Sequence, residues 1–160
     1  MTALYNGDHQ RIDYGKLASY VADSMRSGSL QKVYYYTAIG DSNGDKVANT
    51  KKFVDTLNKH VPYCVAKTGY LRANGSGGYD EKGTDVHIAV DLVSLAFTNA
   101  YDEAILFSAD TDYEPAIRQA QNLGKNVVCG IVDQQKAGYM KELCDDYFIV
   151  KQEELNKLMR

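Results

Sequence analysis

Strand-like and helix-like segments alternate along almost the whole chain, and this alternation limits the folds that it can adopt. Short runs of β-branched, aromatic or other apolar residues occupy residues 32–39, 63–67, 104–109, 126–132 and 147–150. A helix-like segment follows each run, and another begins near residue 13. Because parallel strands are joined by helical crossovers, this order predicts a doubly wound α/β fold with a mainly parallel sheet and helices on both faces. No linker or internal repeat interrupts it, so we expect one domain over residues 1–160.

The first strand of such a domain is the part that the sequence does not supply. A doubly wound sheet normally opens with a strand, which is central in the order 3-2-1-4-5. Residues 1–5 are too short to serve well, so we expect this strand to be missing or very short. The true chain then starts upstream, a neighbour supplies the strand, or the fold is reduced. Because an uncovered strand edge is a template for pairing, we also predict a homo-oligomer, and a monomer in solution scattering would count against it.

The apolar run over residues 104–109 ends at Asp110 and Asp112, two carboxylates separated by one residue. In open α/β sheets, ligands bind outside the carboxyl ends of the strands. Residues two apart project to the same side, so these carboxylates can converge if the chain is still extended there. At ~4 Å and an effective dielectric of ~20, they would repel by about 4 kcal/mol. A divalent cation with oxygen ligands would turn this repulsion into binding.

A third carboxylate, Asp85, is expected at the start of the helix over residues 84–99, near the same edge of the sheet. A cluster of Asp85, Asp110 and Asp112 suits Mg²⁺ or Mn²⁺ and not zinc, because no Cys or His accompanies it. Such ions can activate water and stabilise an in-line displacement at a phosphate. We therefore predict a metal site in which these three residues are both the ligands and the catalytic residues.

Some of these acids can also be explained by a role in stabilising the fold, without any metal. Asp112 can be the N-cap of the next helix, and Asp85 can be a first-turn carboxylate that the helix dipole favours. Asp91 lies six residues after Asp85 on a largely apolar helix, so we expect it to support the site or to meet His87. The acids must therefore be judged as a group and not singly.

Two basic residues, Arg72 and Lys82, flank the glycine-rich residues 74–78, which we expect to form a mobile loop or a hairpin tip. We expect both to contact phosphate, although lone basic side chains beside a loop are often simply solvated. The formal net charge of −3 and the pI near 5.6 argue against a broad basic face that wraps duplex DNA. These values are compatible with a nucleic acid that is bound locally through a metal and a few basic residues.

Three cysteines, Cys64, Cys129 and Cys144, lie in or beside apolar runs and lack the CxxC spacing of metal and redox sites. We expect them to be buried structural residues. No apolar stretch approaches the ~20 residues of a membrane span, and the N-terminus lacks the pattern of a signal peptide. The sequence is therefore typical of a cytosolic chain without a membrane partner.

Two motifs follow each other along the chain and resemble those of a known family. They are Glu81-Lys82-Gly83-Thr84-Asp85, which continues to Asp91, and Ser108-Ala109-Asp110-Thr111-Asp112-Tyr113. The pattern is similar to that of the NYN domain family, in which a Lys-Gly-x-Asp helix start and a further Asp precede Ser-Gly-Asp-x-Asp-Phe. The tyrosine-rich run at Val33 and the segment Asp145-Asp146-Tyr147-Phe148-Ile149 also resemble the family. The resemblance covers roughly residues 30–150.

The NYN family belongs to the PIN-like nuclease group, so the resemblance implies a Rossmann-like or PIN-like fold and a ribonuclease that uses Mg²⁺ or Mn²⁺. Asp85 and Asp110 would hold the ion, and Asp112 would bind or position the attacking water. RNA would approach along residues 69–83. The expected substrate contacts are Arg72, Lys82 and Ser108.

Two departures from the family pattern keep other hypotheses open. Ala109 stands where the family has Gly, and the first-strand Asp of the family's Asp-x-x-Asn pattern is not found. The second hypothesis is a regulatory or binding module whose nuclease site has decayed, and absence of metal binding would distinguish it. The third is a phosphatase of the haloacid dehalogenase type, in which Asp110 would attack phosphate and Asp112 would act as acid and base. The chain after Asp112 is too short for the rest of that machinery.

Overall fold

The computed structural model describes residues 12–24, 29–40, 45–75, 78–133 and 135–159. It contains two compact units. The hairpin unit is Tyr14–Ile88, and the parallel unit is Ala89–Arg160 together with Met1–Asp13. The single domain expected from the sequence stays a prediction. The missing or very short first strand also stays a prediction, because it falls on residues 1–11, which lie outside the described residues.

The hairpin unit combines helices with a three-stranded sheet. Its elements are α1 (Tyr14–Ser24), β1 (Val33–Gly40), α2 (Asp45–His60), β2 (Cys64–Ala73), β3 (Tyr79–Lys82) and the start of α3 (Thr84–Phe97). β1 and β2 are parallel, and β3 pairs antiparallel with the end of β2, from Tyr70 to Ala73. Pairing with β1 as far as Leu71 and with β3 from Tyr70 makes β2 longer than the strand predicted over residues 63–67. β2 and β3 form a β-hairpin on either side of the glycine-rich segment, of which residues 76–77 lie outside the described residues.

The core of the hairpin unit forms where α1 and α2 pack against β1. The Tyr35 ring of β1 lies 4.9 Å from that of Tyr14 in α1 and 5.6 Å from that of Phe53 in α2, centroid to centroid. The Asn58 side chain of α2 closes the edge of β2 before β3 begins. It accepts a hydrogen bond from the Ala66 N–H at 2.7 Å and donates one to the Ala66 carbonyl at 3.2 Å. The backbone N–H and carbonyl of Ala66 are thus paired at a point where no third strand among the described residues covers β2.

Burial of Tyr35 makes the stability of the fold sensitive to high pH. Tyr35 is 2% exposed, and this burial raises its pKa from 10.0 to about 12, although hydrogen bonds to Thr37 and Tyr14 oppose the shift. The unfolded chain therefore releases the phenolic proton first, so the stabilisation is complete below pH 10 and is lost as the pH rises towards 12.

We expect Tyr35→Phe to reduce this alkaline loss of stability by about 1 kcal/mol between pH 9 and pH 11. The measurement is the free energy of unfolding by urea at the two pH values, for the parent and for the variant. Comparing the change with pH within each protein removes the effect of the lost hydrogen bonds at neutral pH. Equal changes in the two proteins would contradict the prediction.

The parallel unit carries the second sheet. After the rest of α3 it contains β4 (Glu103–Leu106), α4 (Glu114–Asn122), β5 (Asn126–Val132), α5 (Gly138–Leu143), β6 (Asp146–Val150) and α6 (Gln152–Lys157). All three strands are parallel, in the order β4-β5-β6. Every residue of β5 after Asn126 is buried, as expected for a parallel strand covered on both faces. Pro115 in the first turn of α4 and Gly124 after its end, with φ of +78°, confirm the predicted ends of that helix.

The α/β class with mainly parallel strands is confirmed. Within the described residues the strands form two sheets of three strands each. The helix predicted over residues 135–144 begins only at Gly138. All three cysteines are buried and unpaired, as expected. None of the described helices combines the length and the apolar character needed to span a bilayer.

Candidate active site

Two acidic residues lie exposed in a tight turn that follows β4. The strand ends at Leu106, and Thr111–Tyr113 forms one turn of 3-10 helix that leads into α4. The Asp110 carboxylate caps this turn, because its Oδ1 accepts a hydrogen bond from the Asp112 N–H at 2.9 Å. The Asp110 N–H in turn donates to Ser108 Oγ at 3.1 Å. These bonds hold the Asp110 carboxylate and the backbone of Asp112 at the carboxyl end of β4, and we name residues 108–112 the acidic turn.

The acidic turn corrects the geometry predicted for Asp110 and Asp112. We expected them to converge as alternate residues of an extended chain, but only Asp110 has extended backbone angles, with φ −78° and ψ 122°. Asp112 lies within the 3-10 turn, where the side-chain period of a strand does not apply. The N-cap of α4 is Tyr113 and not Asp112. The two residues are therefore linked by the capping hydrogen bond from the Asp112 N–H to the Asp110 carboxylate, and not by the alternation of an extended strand.

The acidic turn rests on β5 and β6. The Phe107 ring meets Phe148 of β6 edge to face, with centroids 5.6 Å apart. It also fills the space beside Gly130 of β5, where an added Cβ would lie 2.7 Å from the ring. The buried Cys129 thiol of β5 donates to the Ser108 carbonyl at 3.5 Å. A glycine and a small thiol in β5 thus leave room for the turn to pack closely.

Asp85, the third predicted ligand, lies in the first turn of α3. Gly83 precedes this helix with φ of +85°, a left-handed conformation in which a residue with a Cβ would be strained. The Gly83 carbonyl accepts a hydrogen bond from the His87 N–H at 2.9 Å, which closes the first helical turn. The Asp85 carboxylate is therefore at the positive end of the helix dipole, as its structural interpretation expected.

A close contact fixes the start of α3 against β2. Thr84 is 5% exposed, and within the described part of the chain its Oγ1 has no hydrogen-bond partner. This oxygen faces Gly69 of β2, where an added Cβ would lie 2.5 Å from Thr84 Oγ1 and 2.6 Å from the Lys82 carbonyl oxygen. The absence of a side chain at Gly69 therefore allows this approach.

The two basic residues that flank the glycine-rich segment lie on one face of the hairpin. Lys82 is paired with Tyr70, and Arg72 is paired with Asp80. Paired residues share a face, and diagonal neighbours such as Arg72 and Lys82 are roughly 7–8 Å apart. Both basic side chains are exposed. The two predicted phosphate contacts are therefore neighbours on one surface.

The three predicted ligands are described in separate units. Asp110 and Asp112 belong to the parallel unit, and Asp85 belongs to the hairpin unit. Among the residues that the structure describes, no three His, Cys, Asp or Glu form a group able to hold a metal ion. The convergence of the three acids on one cation therefore stays a prediction. The supporting role of Asp91, which is half-buried on α3, also stays a prediction.

The sequence did not reveal a cluster of polar side chains beside the acidic turn. Glu114, the first residue of α4, accepts hydrogen bonds from the Tyr139 hydroxyl at 2.6 Å and from Arg118 Nε at 2.7 Å. These two bonds lower the pKa of the Glu114 carboxyl and keep it ionised. The spacing of Glu114 and Arg118 is a visible helical pair. Tyr139 belongs to α5, so no local pattern could have identified it.

A comparison of the sequence with models of known protein families identifies the family of this chain. A model of the NYN domain matches residues 2–155. The chain belongs to the NYN domain family. The resemblance seen in the two motifs is confirmed, and the chain has a PIN-like nuclease type of domain with an α/β fold. No curated protein and no solved structure matches it.

The structure accounts for the residues found at two positions of the NYN motifs. Ala109 replaces the usual NYN glycine without backbone strain, because it is not among the described residues with positive φ. Asp145 of the last NYN motif accepts hydrogen bonds from the Val127 N–H at 2.8 Å and from Gln121 Nε2 at 3.2 Å. It therefore joins α4 to the start of β5. We assign Asp145 to the fold and not to the acidic site.

Proposed function

We propose that this NYN domain is a ribonuclease that hydrolyses RNA phosphodiester bonds with Mg²⁺ or Mn²⁺. NYN nuclease domains generally act on RNA, and PIN-like nucleases generally depend on a divalent metal. The observation that carries the proposal is the acidic turn. It holds Asp110 and Asp112 exposed and joined by a 2.9 Å hydrogen bond at the carboxyl end of β4. Ligands bind at this edge in open α/β sheets.

The available donor atoms suit a hard divalent cation. Asp85, Asp110 and Asp112 offer carboxylate oxygens, and Thr84 offers a buried hydroxyl that has no partner within the described residues. Mg²⁺ and Mn²⁺ prefer oxygen ligands of this kind. When bound, such an ion activates water and stabilises negative charge at the phosphate. We assign Asp85 and Asp110 to holding the ion and Asp112 to binding or positioning the water.

We assign the binding of RNA to the hairpin over residues 69–83. Arg72 and Lys82 are exposed on the same face, so both can contact phosphates of one strand. Ser108 is 8% exposed, and its hydroxyl accepts a hydrogen bond from the Asp110 N–H. Ser108 therefore supports Asp110, and its predicted contact with RNA stays a prediction.

The cellular setting and the assembly state belong to the proposal as well. Three buried unpaired thiols suit a reducing compartment, so we infer a cytosolic protein. Self-association through an uncovered strand edge stays a prediction, and solution scattering tests it directly.

One observation favours a decayed regulatory or binding module as the second candidate. The Asp110 carboxylate caps the 3-10 turn, so the fold alone would retain this acid after activity was lost. The NYN assignment favours both candidates over the dehalogenase-type phosphatase, because that hypothesis depends on Asp110 and Asp112 alone.

The metal dependence of RNA cleavage tests the nuclease proposal. We expect metal-stripped protein to leave a fluorescent single-stranded RNA intact in EDTA and to cleave it when Mg²⁺ or Mn²⁺ is added. The matched control is Asp55→Asn, which removes an exposed carboxylate of α2 that pairs with Lys59 at 3.2 Å. This variant should cleave like the parent. A well-folded parent that binds neither ion and cleaves no RNA would contradict the nuclease and favour the decayed module.

A further inference from the structure

One face of β2 is buried near the start of the strand and exposed where β2 pairs with β3, and an aromatic ring lies on the exposed part. Along this face of β2, Ala66 is buried, whereas Thr68, Tyr70 and Arg72 are exposed. Ala66 is paired with Tyr35, whose ring packs against α1 and α2. Beyond this core the same face continues into solvent, and Tyr70 is 54% exposed.

Two cations frame the Tyr70 ring. Lys82 lies directly opposite Tyr70 on β3, and Arg72 is the next residue of β2 on the same face. Asp80 is the acid opposite Arg72, and its Oδ1 accepts a hydrogen bond from the Asn74 amide at 3.0 Å. The four residues of these two pairs therefore carry one net positive charge around a single aromatic ring.

The Tyr70 ring contacts Gly83, a residue that is close in sequence to a predicted metal ligand. An added Cβ on Gly83 would lie 3.9 Å from Tyr70 Cε1, so the ring packs against Gly83. Gly83 precedes Asp85 by two residues, at the point where β3 ends and α3 begins. Tyr70 is also more than half exposed. A flat group that stacked on its ring would lie near Gly83, at the start of α3.

We propose that Tyr70 is a nucleobase-stacking residue that positions single-stranded RNA, with Arg72 and Lys82 on the flanking phosphates; this rests on the nuclease function proposed above. Base stacking on an aromatic side chain needs an unpaired base, and neighbouring cations hold the backbone. A protein partner fits less well, because the surface is one ring framed by charges and not a contiguous apolar patch. The site tolerates different bases, since every base has a π-face.

A fluorescence experiment reports on the stacking directly. The chain contains no tryptophan, so Tyr70→Trp introduces a single tryptophan at the proposed site, whose emission can be excited selectively over that of the tyrosines. Tyr79 is 59% exposed on the opposite face of the hairpin, which makes Tyr79→Trp the matched control. In EDTA, titration with a single-stranded RNA oligonucleotide should quench the emission of Tyr70→Trp and leave that of Tyr79→Trp nearly unchanged. Equal responses of the two variants would overturn the proposal.

Affinity measurements separate the base from the phosphates. We expect Tyr70→Ala to weaken the binding of single-stranded RNA on the order of 10- to 100-fold, and Tyr70→Phe and Tyr79→Ala to bind like the parent. On an oligonucleotide of the same length without bases, parent and Tyr70→Ala should bind equally weakly. Unchanged RNA affinity of Tyr70→Ala would overturn the stacking site, and so would a loss that persists on the abasic strand.

The same proteins distinguish failure of the stacking site from failure of the nuclease. A parent that cleaves RNA with Mg²⁺ while Tyr70→Ala binds RNA normally contradicts only the stacking site. A parent that binds RNA through Tyr70 but never cleaves it supports the stacking site and contradicts the nuclease. A parent that does not bind single-stranded RNA contradicts both.

Discussion

Replacing Asp110 with asparagine is expected to lower metal-dependent RNA cleavage roughly 1,000-fold and to leave the fold intact. Asparagine retains an oxygen that can accept the hydrogen bond from the Asp112 N–H, which Asp110 now accepts at 2.9 Å. It is also a good N-cap residue. The substitution therefore removes the negative charge and keeps the geometry of the acidic turn. Cleavage of a fluorescent RNA and calorimetric binding of Mg²⁺ or Mn²⁺ are the two measurements, and both should fall together.

Two variants show whether the loss comes from the charge of Asp110. Asp110→Ala removes both the charge and the cap, so it should lose cleavage and also about 1 kcal/mol of stability. Asp55→Asn removes an exposed charge from α2 and should change neither cleavage nor metal binding. If Asp110→Asn bound metal and cleaved RNA within about tenfold of the parent, Asp110 would be only the cap of its turn.

The sequence predicted correctly those helices and strands whose conformation is determined by residues close in sequence. The run from Asn126 to Val132 is apolar after its first residue and rich in valine and isoleucine, and it forms β5 with those bounds. Pro115 and Gly124 marked the ends of α4, because proline suits a first helical turn and glycine suits a left-handed residue after the last one. The second half of β2 was missed. Its residues lack alternation and become a strand by pairing with β1 as far as Leu71 and with β3 from Tyr70 onwards.

The side chains of the candidate site could likewise be predicted from the sequence only in part. The residue types of Asp110 and Asp112 predicted an acidic site, but no local rule showed which of them would cap the turn. That choice depends on the backbone angles at Asp110, which the packing of Phe107 against β5 and β6 stabilises. The hydrogen bond between Tyr139 and Glu114 joins residues 25 positions apart, so only the folded chain reveals it. Sequence motifs therefore predict which residue types form a site, whereas tertiary packing determines the positions of their side chains.

Gly69→Ala is expected to destabilise the chain by at least about 2 kcal/mol, which corresponds to a decrease in Tm of roughly 4–8 °C. The added Cβ would lie 2.6 Å from the Lys82 carbonyl oxygen and 2.9 Å from the Thr84 nitrogen. Both are backbone atoms, so no rotation of a side chain can relieve the contact. β2 must therefore move away from the junction of β3 and α3, where Asp85 follows Thr84. RNA cleavage should therefore decrease as well, even at temperatures where the variant is fully folded.

The matched control is Gly138→Ala, at the first residue of α5. An added Cβ there meets no atom within 4 Å, so this variant should be neutral or slightly more stable, because alanine favours a helix. Thermal unfolding of both variants compares the same chemical change with and without the clash. If Gly69→Ala unfolded within 1 °C of Gly138→Ala, the close approach of β2 to the start of α3 would be wrong. If Gly69→Ala were destabilised but cleaved RNA normally when folded, this junction would support the fold without positioning Asp85.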